Sequence, residues 1–279
     1  MRALLFLAAV LTSSAASAQF YYKDIIGTAE TAEMIRNYRK ANVSRVILTS
    51  YDGNNTRTDA FYAEHQFSTA DQTLKTISRS DFTAPSVLIS YVDGSGRVTK
   101  TVDSSDAVVS VTSYTYNSAG QLVSAGSSSA DSMNTANESE EHVWQYAGTR
   151  PVRMLRIKNK VDTTYVELKH DEKGNVIEEQ ATRKGVRSEP IYYYYDDNNR
   201  LTDIVRYNAR ANRLLPEYMF EYSNTNQVIQ KITVPANSDQ YLIWRYKYDD
   251  NGLKVKEAIY NKQKQLTGTI EYRYSFASN

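Results

Sequence analysis

A pair of aromatic residues set one apart, then a tight turn, then an aliphatic residue recurs about every 25 residues from His65 to Phe276. The first turn residue of each unit is Ser68, Asp93, Asn117, Ala147, Asp171, Asp196, Ser223, Asp249 and Ser275, at steps of 25, 24, 30, 24, 25, 27, 26 and 26. Self-similarity at such a period constrains the fold more than any single residue does, because each unit must bury its apolar face against the next. Three and one residues before the turn stand Tyr114/Tyr116, Trp144/Tyr146, Tyr193/Tyr195, Phe220/Tyr222, Tyr246/Tyr248 and Tyr272/Tyr274. Six aromatic pairs in nine units, from a chain that is 11% aromatic, lie far above chance. Five residues after the turn come Val98, Leu122, Val152, Val176, Leu201 and Val228, whereas Thr73 and Lys254 mark degenerate units.

Each unit reads as a β-hairpin. An Asp or Asn opening the turn accepts hydrogen bonds from backbone N–H groups two residues on, which starts a turn there. Three residues later stand Gly96, Gly120, Gly174 and Gly252, with Asn199 and Asn226 in two other units. Gly and then Asn best tolerate the left-handed backbone, so a positive φ is expected at this position. Arg150 and Asp71 break the pattern, and those hairpins are expected to turn differently.

Residues two apart in a strand share a face, so stacked hairpins would align the aromatic pairs into a ladder. In the run Tyr192 to Tyr195, two rings must lie opposite the other two. Nine hairpins give about sixteen to eighteen strands, and open twisted sheets rarely exceed about ten without curling or splitting. The predicted fold is therefore mainly all-β: one antiparallel hairpin array in residues 19–279, curved strongly or closed into a barrel-like shell.

Ahead of the array, Arg2, the apolar run Ala3 to Leu11 and the small residues ending at Ala18 have the layout of a secretory signal peptide over residues 1–18. The chain has no cysteine, hence no disulfide and no lipid-attachment site at the leader junction. Of its 33 basic and 32 acidic side chains, Arg2 falls in the leader, so the remainder carries no net charge. Nothing in that balance attracts nucleic acid, and no later apolar run has membrane length. A periplasmic or released protein without membrane insertion is expected. One helix is predicted over residues 28–41, capped by Thr28, with acids in its first turns, bases in its last, and a buried stripe of Met34, Ile35 and Tyr38. It is expected to cover an end or edge of the sheet. Alternating residues from Val43 to Ser50 then begin the strands.

A Ser-rich segment, about residues 124–141, lies in the one 30-residue unit and reads as an inserted loop, with Glu138, Glu140 and Glu141 as a solvated charge cluster. The search for chemistry is negative: no nucleophile elbow, zinc pair or phosphate loop is present, and no cofactor or metal is implied. His65, His142 and His170 read as ladder residues, and Asp196/Asp197 and Asp249/Asp250 as turn residues.

The runs Tyr193 to Leu201, Tyr246 to Gly252 and Tyr114 to Leu122 resemble the YD repeat of the RHS-like repeat proteins of bacterial envelopes, over about three quarters of the chain. The resemblance implies a hairpin array from an exported or surface protein. Large members of that family wrap a toxin in a closed shell, a role for which this chain is too short. Two functions fit the residues. One is a non-enzymatic envelope module that binds a glycan or another envelope protein through an aromatic face made by Trp144, Tyr146, Tyr193, Tyr195, Tyr222, Trp244, Tyr246 and Tyr248. The other is a carrier that holds a lipid or other hydrophobic molecule inside a curved sheet. The oligomeric state is left open by the sequence.

Overall fold

The computed structural model describes residues 20–80, 83–105, 108–131, 137–235 and 240–277, so the expected leader lies outside the described residues. A helix, α1 (Lys23–Lys40), is followed by β1 (Val43–Asp52), β2 (Arg57–Ser68), β3 (Thr73–Ser80), β4 (Thr83–Val92), β5 (Val98–Ser105) and β6 (Val108–Tyr116). The next strands are β7 (Leu122–Asp131), β8 (Asn137–Ala147), β9 (Arg150–Lys158), β10 (Asp162–His170), β11 (Val176–Arg183), the short β12 (Val186–Arg187) and β13 (Ile191–Tyr195). The chain ends with β14 (Leu201–Asn208), β15 (Arg213–Tyr222), β16 (Val228–Thr233), β17 (Leu242–Tyr248), β18 (Lys254–Tyr260) and β19 (Leu266–Phe276).

Each strand pairs antiparallel with the next, and β12 and β13 both pair with β11 as one interrupted strand. Because β19 returns to β1, with Val46 opposite Tyr274 and Leu48 opposite Tyr272, the sheet closes into an 18-stranded barrel. Closure removes the open edges that an array of this length would otherwise present.

The repeat turns ring one mouth of this barrel. Asp93 Oδ1 accepts from the N–H groups of Ser95 and Arg97, both at 2.9 Å, and Asn117, Asp196, Ser223 and Asp249 make the same two bonds. Positive φ falls at Gly96, Gly120, Gly174, Asn199, Asn226 and Gly252, as the turn chemistry predicts. At the opposite mouth Asp52 and Asn261 build the same turn outside the repeat. The hairpin at Ala147–Arg150 is a tighter turn, with Ala147 directly opposite Arg150.

A register shift just before each turn explains why tyrosine recurs. The ladder slips between Thr115 and Tyr116, Tyr194 and Tyr195, Glu221 and Tyr222, and Lys247 and Tyr248. Such a bulge leaves a backbone group without its ladder partner. The last tyrosine of each unit donates its hydroxyl to the carbonyl of the aliphatic position in the preceding unit: Tyr116 to Val98 at 2.9 Å, Tyr146 to Leu122 at 2.8 Å, Tyr195 to Val176 at 2.9 Å, Tyr222 to Leu201 at 2.8 Å and Tyr248 to Val228 at 2.8 Å. Tyr274 reaches the degenerate position, Lys254, at 2.7 Å. Each latch stabilises the array by about 1 kcal/mol. Arg97 and Arg200 add a second link, bonding their own turn aspartates and lying 4.9 Å and 4.8 Å from the ring centroids of Tyr116 and Tyr222.

Two sequence expectations are corrected. Within the segment read as an inserted loop, residues 124–131 and 137–141 are strand: β7 and β8 occupy 122–131 and 137–147, with Ser124 opposite Val143 and Ser127 opposite Glu140. Small side chains are unfavourable strand formers alone, but paired neighbours on both sides hold them here. The helix begins at Lys23 rather than at residue 28, and the Thr28 hydroxyl bonds back to Asp24 O at 2.7 Å instead of capping.

Candidate functional site

The helix lies inside the barrel, across the mouth ringed by the repeat turns. Its contacts fix this placement: Asp24 meets His142 on β8, Tyr22 meets Tyr193 on β13, Tyr38 meets His65 on β2, and Arg39 meets the turn between β4 and β5. A helix can touch walls so far apart around the circumference only from within. An eight-stranded barrel is filled by its own side chains, whereas one of 16–18 strands encloses a wide lumen. Here α1 fills the mouth and splits the core in two. Its C-terminal half packs Ile35 and Tyr38 with Val46, Phe67, Leu253 and Ile270. Its N-terminal approach, Phe20 to Ile25, packs with Trp144, Met154, Val166, Tyr193 and Ile204.

No side chain of α1 caps its own N-terminus; the wall does. Glu179, 2% exposed, accepts from the backbone N–H groups of Tyr21 and Tyr22 and from the Tyr193 hydroxyl, all at 2.8 Å. Burial raises the Glu179 pKa, and the three donors oppose that shift. A carboxylate at this end also meets the positive end of the helix dipole.

Beside it runs a part-buried ionic chain. His142 Nδ1 bonds Asp24 of α1 at 2.5 Å, its Nε2 bonds Glu140 at 2.9 Å, and Glu140 bonds Arg156 at 2.5 Å. Burial works against a charged His142, but carboxylates on both ring nitrogens outweigh it and raise its pKa to about 9. The His142 hydrogen bond, with Arg156 beyond it, holds Glu140 down at about 2 despite partial burial. At the other end of the helix, His65 is buried near Lys254 and is lowered to about 4, so its neutral ring bonds the Tyr38 hydroxyl at 2.9 Å. Arg39 donates to the carbonyls of Gly94 and Asp93, both at 3.0 Å, and to Gln72.

All eight aromatic residues singled out in the sequence face the lumen, and the structure does not gather them into one patch. Trp144, Tyr146, Tyr193 and Tyr195 belong to the core at the N-terminal end of the helix. Trp244 belongs to the other core, while Tyr246 stacks against Lys254 at 4.3 Å and Tyr222 and Tyr248 serve as latches. The rings that reach the outer surface are others, among them Tyr165, Tyr194, Tyr207 and Tyr91. An exposed stripe built from the eight is therefore not what the fold presents. The charge cluster is also corrected in part: Glu138 is solvated, but Glu140 is held in the ionic chain. No group of three side chains fit to hold a metal gathers among the described residues. Glu179 and Asp24 were invisible as a site in the sequence, since their partners stand more than a hundred residues away.

Away from this mouth the lumen wall has three characters. Strands β2 and β17–β19 contribute Phe61, Leu242, Trp244 and Ile270, packed on the apolar core. By register, the lumen side of β3–β7 carries Thr76, Leu88, Asp103, Ser110 and Ser129 in one row and Ser90, Thr101, Thr112 and Ser127 in the next. Beyond these lie the ion pairs Arg156–Glu140 and Arg206–Glu217, each at 2.5 Å.

No family model matches the chain, and no curated protein matches it. Solved structures similar to it include the Tc holotoxin pore of Photorhabdus luminescens, at 15% identity over 78% of this chain and 12% of that one, with a TM-score of 0.34. A porin-like protein from Bacteroides uniformis is 12% identical over 84% of this chain and 97% of that one, with a TM-score of 0.39. The chain thus spans about an eighth of the length of the toxin chain that it matches.

Proposed function

We propose that this is a non-enzymatic, exported carrier with a YD-repeat-like wall, holding an amphiphilic, lipid-like molecule inside the barrel. The observation that carries the reading is the two-sided lumen. An apolar wall from Phe61, Leu242 and Trp244 stands across from hydroxyl-bearing and ion-paired walls, which matches a molecule with an apolar body and a polar head. Ligand pockets are commonly apolar with a few placed polar groups, and mouths of β-barrels are a usual location. The helix supports the reading as a stopper across one mouth. A leader-like N-terminus and the absence of cysteine agree with export.

The outer face argues against a barrel that spans a bilayer. Arg45–Glu64, Arg153–Glu167, Lys169–Glu178 and Lys256–Glu271 are outward ion pairs on β1–β2, β9–β11 and β18–β19. A spanning barrel needs an apolar band all the way round.

Solvent extraction of the purified protein followed by mass spectrometry tests the proposal. A lipid-like species should co-purify, and adding it back to stripped protein should shift tryptophan emission, with the shift reduced in Phe61→Asp. A clean extract together with unchanged emission on titration with phospholipid and fatty acid would end the carrier reading.

A further inference from the structure

On the half of β3–β7 away from α1 the usual polarity of a barrel wall is reversed, whereas nearer α1 Leu74, Val92, Val98 and Leu122 pack inward in the ordinary way. While the lumen side of these strands is rich in Ser and Thr, register puts Ile77, Val87, Ser104, Val109 and Ala130 in one outer row and Lys75, Ile89, Val102, Val111 and Ser128 in the next. A strand buries its apolar face, so an outward apolar field marks a surface built to be covered. Val109 remains 45% exposed. Near it, beside β8, opens a shallow crevice of about 490 Å³ lined by Val109, Val111 and Ala130 together with serines, Glu138 and Lys160.

The charges on this face point to what covers it. The described outward cations on these strands are Lys75, Arg79 and Lys100, and the one acidic side chain described there, Asp103, points into the lumen. Neither Lys75 nor Lys100 forms an ion pair with a described residue. Tyr91, directly opposite Lys100 in the ladder, has that ammonium 5.4 Å from its ring centroid, and Lys75 stands opposite Ile89. A belt of Lys and Tyr beside an apolar field is the arrangement that seats a protein at a lipid interface, rings and ammonium groups at headgroup depth and apolar residues below.

We infer that the outer face of β3–β7 docks this protein on an anionic lipid surface, with Lys75 and Lys100 meeting the headgroups and Ile89, Val102, Val109 and Val111 entering the acyl boundary. Excess positive charge next to an uncharged apolar field complements such a surface, whereas a second copy of the chain would bring like charges together. The inference uses only the outer wall and stands whether or not the lumen holds cargo.

Vesicle co-sedimentation of the full protein tests it. Wild type should sediment with vesicles of phosphatidylcholine mixed with phosphatidylglycerol, less with phosphatidylcholine alone, and less as salt is raised. Affinity should fall about fivefold for each cation removed. Lys75→Glu with Lys100→Glu should therefore lose binding, and Val109→Asp should weaken it. Arg153→Glu, on the ion-paired wall, should bind as wild type. Because the substituted side chains point outward, circular dichroism should show all variants folded. The inference is overturned if wild type binds neither vesicle, if the double variant binds as well as wild type, or if light scattering shows a dimer that Val109→Asp dissociates.

Discussion

The two ends of α1 are held by different physics. At its N-terminal end the wall supplies charge: Glu179 takes the first backbone donors, and His142, between Asp24 and Glu140, ties the first turn to β8. At its C-terminal end the wall supplies packing, with Ile35 fully buried and Tyr38 against Phe67 and Tyr274, while Arg39 fixes the exit through backbone carbonyls. The comparison teaches that a helix rich in charge can be an interior element when its polar groups find partners on the enclosing wall. It also divides the molecule into an end held by charged groups and an end held by packing, each with its own titrating histidine.

The largest effect should come from the packed end. Tyr38→Ala removes a nearly buried ring and should cost about 4 kcal/mol, read from denaturant unfolding; a loss below about 1 kcal/mol would mean that this half is not packed in the lumen. At the charged end Glu179→Leu leaves two backbone N–H groups and a hydroxyl without an acceptor and should cost about 3 kcal/mol. Glu179→Gln should recover part of it. Hydrogen exchange should then rise over residues 20–30 more than over residues 31–40, and a uniform rise would erase the distinction between the two ends.

The pH dependence should separate them as well. His142 is raised from 6.5 to about 9, so its contribution is full below pH 6.5 and is lost between pH 6.5 and 9. Glu140, lowered from 4.5 to about 2, contributes above pH 4.5 and loses its contribution as pH falls toward 2. His65 is lowered from 6.5 to about 4, so the packed end weakens as pH falls across that interval. Each limb is worth at most about 3 kcal/mol. In thermal melts across pH, His142→Gln should flatten the alkaline limb and His65→Phe the limb between pH 6.5 and 4. If either substitution removed both limbs, the two ends would not be independent.

Smaller effects concern the ring of turns that holds the helix. Gly252→Val places a branched side chain at φ +78° and should cost about 1–2 kcal/mol. Tyr222→Phe removes one latch and should cost about 1 kcal/mol, against no measurable change for the outward Tyr194→Phe. Equal values for the two tyrosines would remove the latch from the account.

How much of this was legible in the sequence follows from where each partner lies. Turn residues and the φ-positive Gly and Asn positions act on neighbours two to four residues away, so the hairpins could be read directly and their number implied strong curvature, while closure depended on β19 meeting β1. The position of the helix could not, because its cap is Glu179, 157 residues from Tyr22. Arg39 reads in the sequence as a last-turn cation suited to the helix dipole, yet its carbonyl acceptors belong to a turn more than fifty residues on. Glu140 looked solvated beside Glu138 and Glu141, but alternation puts it on the face of His142 and Trp144. Alternation along a strand puts the two rings of each aromatic pair on one face. Whether that side faced solvent depended on closure and on α1 filling the mouth.

Since the chain has no native cysteine, the bridging of opposite walls by one helix can be measured by paired crosslinks. Asp24→Cys with His142→Cys, and Tyr38→Cys with His65→Cys, should each join through a short bismaleimide in the folded monomer, as readily as the strand pair Thr112→Cys with Ser127→Cys. A strand pair that joins while either helix pair does not would contradict a helix seated across the lumen.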